Sequence, residues 1–385
     1  MKFLHLGDLH LGKSLNNFDL SEDQKYILKR ILAIIEEEKI DGVLIAGDVY
    51  DKATPSEAAM NLLNDFLNGL SAAKVKTFVI SGNHDSDDRL NYGSGLFEKQ
   101  NIYIASRYDG KLYKQTVEDE YGPIDIYLLP FVKASRVRHY FPEAEINSYD
   151  DAVRIIIENA GIDSRHRNVI VAHQFVTGTS DDLVIAGSED LSTRTVGLVE
   201  KINYDCFDAF DYAALGHIHS PQSVGRDEVR YSGSPLKYSL SEVDNAKAAT
   251  IVTLEEKGVV NIELIPLTPL RDMRHIRGTM KELLDRNNIK RPDDFIYVTL
   301  TDEDIINDAM GIFQQVYPNT VKIEYDNSRT RAMEQVDISK IAENKSFTEL
   351  ISDFYRFVYQ CEISEEEMSI MRRVAREAGV LNEAD

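Results

Sequence analysis

The sequence has no tryptophan and only two cysteines, Cys206 and Cys361, which lie far apart and outside any CxxC spacing. That scarcity excludes a disulfide framework or a thiolate metal site and fits a reducing, cytoplasmic setting. No apolar run approaches the roughly 18 residues needed to cross a bilayer, so no membrane association is expected. Met1-Lys2-Phe3-Leu4-His5 reads straight into a strand, without the layout of a secretion signal. Basic residues are short as well: 43 Lys and Arg stand against 65 Asp and Glu, a formal charge of −22. A free-standing nucleic-acid binder usually carries the opposite balance. Some of the acid is therefore expected at a site where cations neutralise it.

The 385 residues exceed one small domain and suggest two or three units. Short apolar runs at 3–6, 43–46, 77–80 and 169–172 read as buried strands. Amphipathic stretches between them carry helix starts. Ser21 with Gln24 forms a capping box ahead of Ile27, Ile31, Ile34 and Ile35. Thr54-Pro55-Ser56-Glu57 places proline at a first helical position inside a second box. Ser148 with Asp151 opens a third helix, which stops near Gly161. Later strands at 124–131, 229–232, 249–254 and 259–265 lack intervening helices. The fold class is therefore α/β: a layered sandwich of mixed β-sheets flanked by helices, spanning 1–270.

After Pro266 and Pro269 the pattern changes. Residues 271–330 suit a small α+β module with a helical stretch at 279–286, strands at 295–300 and 321–325, and a helix at 301–316. Seven Lys and Arg against three Asp and Glu lie between Arg271 and Arg291, as a phosphate-facing surface or a solvated helix face. Residues 331–385 form a helical tail. Ser346 with Glu349 caps a helix bearing Phe347, Leu350, Ile351, Phe354, Tyr355 and Val358. Ser364 with Glu367 caps another, with Ile363 and Met368 as its staple. Such a pair either packs on its own domain or docks on a partner.

Chemistry-bearing residues follow the apolar runs directly: Asp8 and His10, Asp48, Asn83 and His84, His173, then His217 and His219. Loops beyond the carboxyl ends of strands converge in open α/β sheets, so one cleft would gather them. Glycines before Asp8, Asp48, Asn83 and His217 would let the backbone turn and approach closely. A lone histidine is usually structural, and an aspartate after a strand is usually a cap or turn. Five such motifs in the same placement outweigh that reading, whereas His5, His139, His166 and His275 lack the context. Carboxylate, amide and imidazole donors without thiolate favour Mn²⁺- or Fe²⁺-like ions. Two cations need a shared carboxylate, here Asp48. Asp8, His10 and His219 would complete one site; Asn83, His173 and His217 the other. Such a pair would clamp a phosphate and activate water for in-line displacement. His84 is left as the catalytic acid. Asp51 and Asp85 would hold ligands through hydrogen bonds or merely make turns.

The order Asp8-x-His10, Gly47-Asp48-x-x-Asp51, Gly82-Asn83-His84-Asp85, His173, Gly216-His217-x-His219 resembles the calcineurin-like metallophosphoesterase superfamily. The opening 2–12, the stretch 48–55, and Tyr231-Ser232-Gly233-Ser234-Pro235 extend the resemblance nearly end to end, to its nuclease branch in double-strand-break repair. The superfamily's protein phosphatases usually carry Glu after the Asn-His pair and Arg-Gly after the second motif. This chain has Asp85 and Lys52-Ala53, which counts against a phosphatase. The resemblance implies a double-strand exonuclease and single-strand or hairpin endonuclease using two divalent ions, Mn²⁺ before Mg²⁺ or Fe²⁺. It also implies a DNA-facing cap at 271–330, with Arg271, Arg274, Arg277 and Lys281 as contacts. The tail would dock on a coiled-coil ATPase of the SMC type, giving a homodimer within a heterotetramer. Phosphate contacts supplied by cap and partner would reconcile DNA binding with the acidic charge. The competing readings are a small-molecule phosphodiesterase and a non-catalytic scaffold. The 175–200 segment is either a dimer contact or a plain loop.

Overall fold

Branched and aromatic apolar runs become the strands of two six-stranded sheets, and the amphipathic stretches between them become covering helices. The computed structural model of the chain describes residues 1–178, 183, 201–334, 347–359 and 362–377. Cys361, the expected Ser346 cap, the side chains of Phe347 and Val358 and most of 175–200 lie outside them. No helix among the described residues is long and apolar enough to cross a membrane. The chain divides into two compact units, Met1–His275 with Asp293–Ile296, and Ile276–Pro292 with Tyr297–Asp385.

The first unit opens with β1 (Lys2–Leu6), α1 (Ser21–Glu37), β2 (Gly42–Ala46), α2 (Glu57–Ala72), β3 (Lys76–Ile80) and β4 (Ile102–Ala105). Then come β5 (Tyr113–Asp119), β6 (Gly122–Leu129), α3 (Ala134–Tyr140), α4 (Tyr149–Glu158) and β7 (Arg167–His173). It continues with β8 (Tyr212–Gly216), β9 (Gln222–Val224), β10 (Arg226–Tyr231), β11 (Ala248–Leu254) and β12 (Val260–Pro266). The first sheet has the order β12-β11-β1-β2-β3-β4 and the second β9-β10-β8-β7-β6-β5. Strands β1 to β4 are parallel, as are β6, β7, β8 and β10.

Side chains alternate across each strand, so each sheet has two apolar faces to cover. Phe3, Leu44, Phe78 and Ile80 meet Ile126, Leu128, Val171 and Tyr212 in the core between the sheets. The outer face of the second sheet packs with Val137, Val153, Ile156 and Ile157 of α3 and α4. Ile27, Ile31, Ile34 and Ile35 of α1, with Leu62, Phe66 and Leu70 of α2, are the buried helical faces beside the first sheet. Removing one such aromatic, as in Phe78→Ala, would cost about 3–5 kcal/mol. His5 sits inside the sandwich, its Nδ1 2.8 Å from the Tyr212 hydroxyl, and burial pushes its pKa down to about 3. It is a structural histidine.

Strands β13 (Met273–Gly278), β14 (Phe295–Leu300) and β15 (Thr320–Tyr325) form a three-stranded sheet in which β13 and β14 start in the first unit and β15 lies wholly in the second. With it go α5 (Ala309–Gln314), α6 (Ser328–Glu334), α7 (Phe347–Tyr359) and α8 (Glu365–Glu377). The helix expected over 301–316 forms only at Ala309–Gln314. Ahead of it, Asn327 donates to the Asp302 and Glu303 carbonyls and Ser328 to the Glu303 carboxylate. Side-chain bonds of that kind compete with the helix. The stretch at 279–286 is helical only over Met280–Leu283, behind the Thr279–Glu282 capping box.

Two helix starts differ from expectation in the first unit. Ser56, not Thr54, caps α2 by accepting from the Ala59 amide, so Pro55 precedes the cap. Ser21 does not cap α1; Gln24 turns away to the loop after β1. The Ser148–Asp151 box forms with both of its bonds.

Candidate metal centre

Register brings the ends of the parallel strands level. Leu6 faces Ile45, Ala46 faces Ile80 and Gly216 faces His173. The loops leaving β1, β2, β3, β7 and β8 therefore converge, as the carboxyl edge of an open sheet dictates. Asp8 (φ 53°), His10 (φ 42°), Asp48 (φ 48°) and His217 (φ 103°) adopt left-handed backbone. Non-glycine residues there cost about 1–3 kcal/mol each and cluster at functional sites. Sequence reasoning placed the turn in the preceding glycines; the structure places it largely in the donor residues. Close approach is what Gly216 and Gly82 provide. A Cβ on Gly216 would fall 1.9 Å from the Ala46 carbonyl, and one on Gly82 2.1 Å from Asp48 Oδ1.

The donors meet in one buried cluster. Asp8, His10 and His219 can hold a metal ion together, and so can Asp8, Asp48 and His173. His10 Nε2 lies 3.1 Å from His219 Nε2. Asn83 Oδ1 lies 3.0 Å from His173 Nε2 and 3.1 Å from His217 Nδ1. Asp48 Oδ2 spans the two sets, 3.6 Å from His10 Nε2 and 3.3 Å from His173 Nε2. Asp8 belongs to both groups of donors, which the sequence reading did not anticipate. Its carboxylate also accepts from the His217 amide at 3.0 Å. His84 is the most open of the three imidazoles within 4.0 Å of Asp48 Oδ2, with its side chain 27% exposed. Its Nδ1 lies 3.1 Å from the Asp51 carbonyl, and its Nε2 4.0 Å from Asp48 Oδ2.

Electrostatics test whether these residues suit cations. Burial opposes ionisation of Asp48, yet His173, His10 and His84 hold its carboxyl well below the usual range. Burial would likewise depress His173, but Asp48 overrides it and raises the imidazole to about 9. Burial holds His10 well below its ordinary value and His217 down at about 3, so both imidazoles are neutral. His219 is lowered by burial against the pull of Glu242. Neutral imidazoles and an ionised carboxylate are the forms that ligate, so His173 would give up its proton to a cation. His10 Nδ1 is buried without a hydrogen-bond partner among the described residues, 3.7 Å from Asp51 Oδ1. A cation at Nε2 would move the ring proton to that Nδ1 and give it a carboxylate to meet. The residues fit a pair of divalent ions.

Surrounding groups hold the loops. Asp85 accepts from the amides of Gly82, Val49 and Tyr50 at 2.9–3.0 Å, tying two donor loops together. Burial, then Asp48, pushes its pKa up to about 6. Asp51 pairs with Lys13 at 2.7 Å. Three further residues escaped sequence reasoning. Gln24 accepts from the Gly12 amide at 2.9 Å and donates to the His10 carbonyl at 2.7 Å. The Tyr238 hydroxyl donates to the Leu9 carbonyl. Glu242 lies 3.3 Å from His219 Nδ1. Gln24 carried a signal that read as capping; Tyr238 and Glu242 carried none.

The other expected residues have surroundings of their own. Arg271 pairs with Asp23 and lies over the Phe295 ring, Arg274 pairs with Asp294, and Arg277 with Asp326. Lys281 is exposed. On the helices, Phe354 is exposed, Leu350 and Ile351 are half-buried, and Tyr355 donates to Glu367.

Layered mixed sheets with oxygen and imidazole donors on their carboxyl edge define a metallophosphoesterase. The profile of the calcineurin-like phosphoesterase family matches residues 1–221, and that of the type 5 capsule protein repressor C-terminal domain matches residues 269–359. A protein of Staphylococcus epidermidis, named as the SbcD component of the nuclease SbcCD, is 33% identical over 92% of this chain and 93% of its own length. The chain belongs to the calcineurin-like phosphoesterase family and, within it, to the SbcD proteins. Among solved structures, a dimetal phosphatase from Danio rerio aligns at 11% identity over 70% of this chain and 99% of that one, with a TM-score of 0.38. A Thermus thermophilus protein, TT1561, aligns at 9% over 68% and 98%, with a TM-score of 0.40. Likeness at that level carries no argument about function.

Proposed function

We propose that this chain is the nuclease subunit of a DNA-repair complex, cutting phosphodiester bonds as a double-strand exonuclease and a single-strand or hairpin endonuclease. The observation that carries the reading is the spanning carboxylate: Asp48 Oδ2 lies within 3.6 Å of imidazoles from two donor sets. Asp8, His10 and His219 would hold one cation and Asn83, His173 and His217 the other, with Asp48 shared. Mn²⁺ suits these oxygen and imidazole donors best, ahead of Mg²⁺ or Fe²⁺. Such ions supply positive charge to the scissile phosphate and acidify the attacking water. The chain's own groups do the rest. Nδ1 of His173 is 2.7 Å from the Ala46 carbonyl, which turns its Nε2 toward Asp48 and Asn83. With His84 Nδ1 on the Asp51 carbonyl, Nε2 is the nitrogen that would pass a proton to the leaving oxygen. Asp85 keeps the loops of Asp48 and Asn83 in register.

The partner is an SbcC-like coiled-coil ATPase, met in the bacterial cytoplasm as a heterotetramer around a homodimer. Apolar side chains exposed on both tail helices, Phe354 with Ile370 and Val374, support docking there. Because Arg271, Arg274 and Arg277 are already paired, the exposed Lys281 is the expected phosphate contact left to act, and the partner would supply much of the rest.

The test is metal-dependent cutting of a labelled linear duplex by the purified chain, with and without its ATPase partner, and with Asp48→Ala as control. Cutting in Mn²⁺ that vanishes in the control is expected. Brisk hydrolysis of a small diester, with no cutting of DNA in either mixture, would move the substrate to small molecules.

A further inference from the structure

Outside the donor cluster, two oppositely charged side chains are buried with no water-facing role. Glu242 is fully buried and Lys247 is 7% exposed. Lys247 Nζ donates to Glu242 Oε2 at 2.6 Å, to the Ser234 hydroxyl at 2.9 Å and to the His219 carbonyl at 2.8 Å. The other carboxylate oxygen, Oε1, lies 3.3 Å from His219 Nδ1 and accepts from the Tyr238 amide and the Ser239 hydroxyl, each at 3.2 Å. Burying such a pair is costly, and an apolar pair of similar volume often serves stability as well. A carboxylate only accepts, so the ring proton of His219 must sit on Nδ1. Nε2 then keeps its lone pair, directed at the donor group that contains Asp8 and His10.

We propose that Glu242, held by Lys247, is a positioning residue that fixes the tautomer and ring orientation of His219 for one of the two cations. This rests on the two-cation reading above. Ligating histidines commonly depend on such a partner for their orientation and basicity, and its loss costs about 10–100-fold in metal affinity. No motif around Glu242 announces the role. It lies 23 residues beyond the histidine it contacts, after a turn that returns the chain to the site.

Two readouts on the full chain separate positioning from simple support: Mn²⁺ calorimetry, and the ¹⁵N imidazole spectrum of the metal-free protein. Glu242→Gln keeps a neutral acceptor for Tyr238 and Ser239. It should weaken one Mn²⁺ site about 10–100-fold, leave the other unchanged, and let the His219 signals report a tautomer mixture. Because this variant strands the Lys247 ammonium, Glu242→Gln/Lys247→Met is measured beside it. That pair removes both charges, and it should melt near wild type and still show the weakened site. Wild-type protein that binds no Mn²⁺ would overturn the underlying cation reading. Two wild-type sites that both survive in the pair variant, with His219 still a single Nδ1–H tautomer, would overturn the positioning role alone.

Discussion

On the carboxyl edge of the first unit, Asp8, His10, Asp48, His173 and His219 are buried, and three of them hold left-handed backbone. On the tail helices of the second unit the balance is reversed: Phe354 is 55%, Val374 52% and Ile370 50% exposed. One region takes polar groups out of water, and the other leaves apolar groups in it. Carboxylates and imidazoles gathered away from water suit bound cations. Exposed apolar faces ask for another chain. The clustered polar groups thus lie in the first unit, and the exposed apolar side chains lie on helices of the second.

Asp48→Ala should produce the largest change. Nuclease activity should fall to background, and calorimetry should no longer detect two Mn²⁺ ions bound together; retention of both would show that Asp8 alone suffices as the bridge. His84→Gln should leave both ions in place while lowering turnover by about 10²–10⁴-fold, the range for a positioned acid. Lost metal binding would make His84 a ligand. The next test uses pH. His173, raised to about 9 without metal, must lose its proton to ligate. Below that pH affinity at its site should climb about tenfold per unit, levelling above it. Calorimetry in buffers of different ionisation enthalpy would read the released proton, and a pH-independent affinity would contradict the assignment.

Three further variants probe the expected contacts. Phe354→Asp, at an exposed position, should shift stability by no more than about 0.5 kcal/mol yet abolish co-purification with the ATPase. A truncation ending before Ser346 should also lose the partner while sparing hydrolysis of small diesters. A large drop in melting temperature for Phe354→Asp would instead mark the face as internal packing. Lys281→Ala should reduce the salt slope of duplex binding by about 1; an unchanged slope would remove Lys281 from the DNA contacts.

Most strands were readable because each is a short apolar run, whereas Tyr113–Asp119 and Met273–Gly278 carry too much charge to show as one; the clustered residues were readable because each follows an apolar run within a few residues. What could not be read depends on side chains meeting across the fold. Gln24 looks like half of a capping box, but its amide is captured by the loop of His10. The stretch after Thr301 has helical composition, but Asn327 and Ser328 bind its backbone and Glu303 instead. Arg271, Arg274 and Arg277 look like a basic patch until Asp23, Asp294 and Asp326 are seen to neutralise them. Glu242 and Lys247 look like ordinary surface charges in sequence, and only the fold brings them beneath His219.

Anomalous scattering from crystals grown with Mn²⁺ would test the central claim most directly. The expected result is two peaks roughly 3.5–4 Å apart, one among Asp8, His10 and His219, the other among Asn83, His173 and His217, with Asp48 between them. A single peak, or peaks away from these residues, would contradict it.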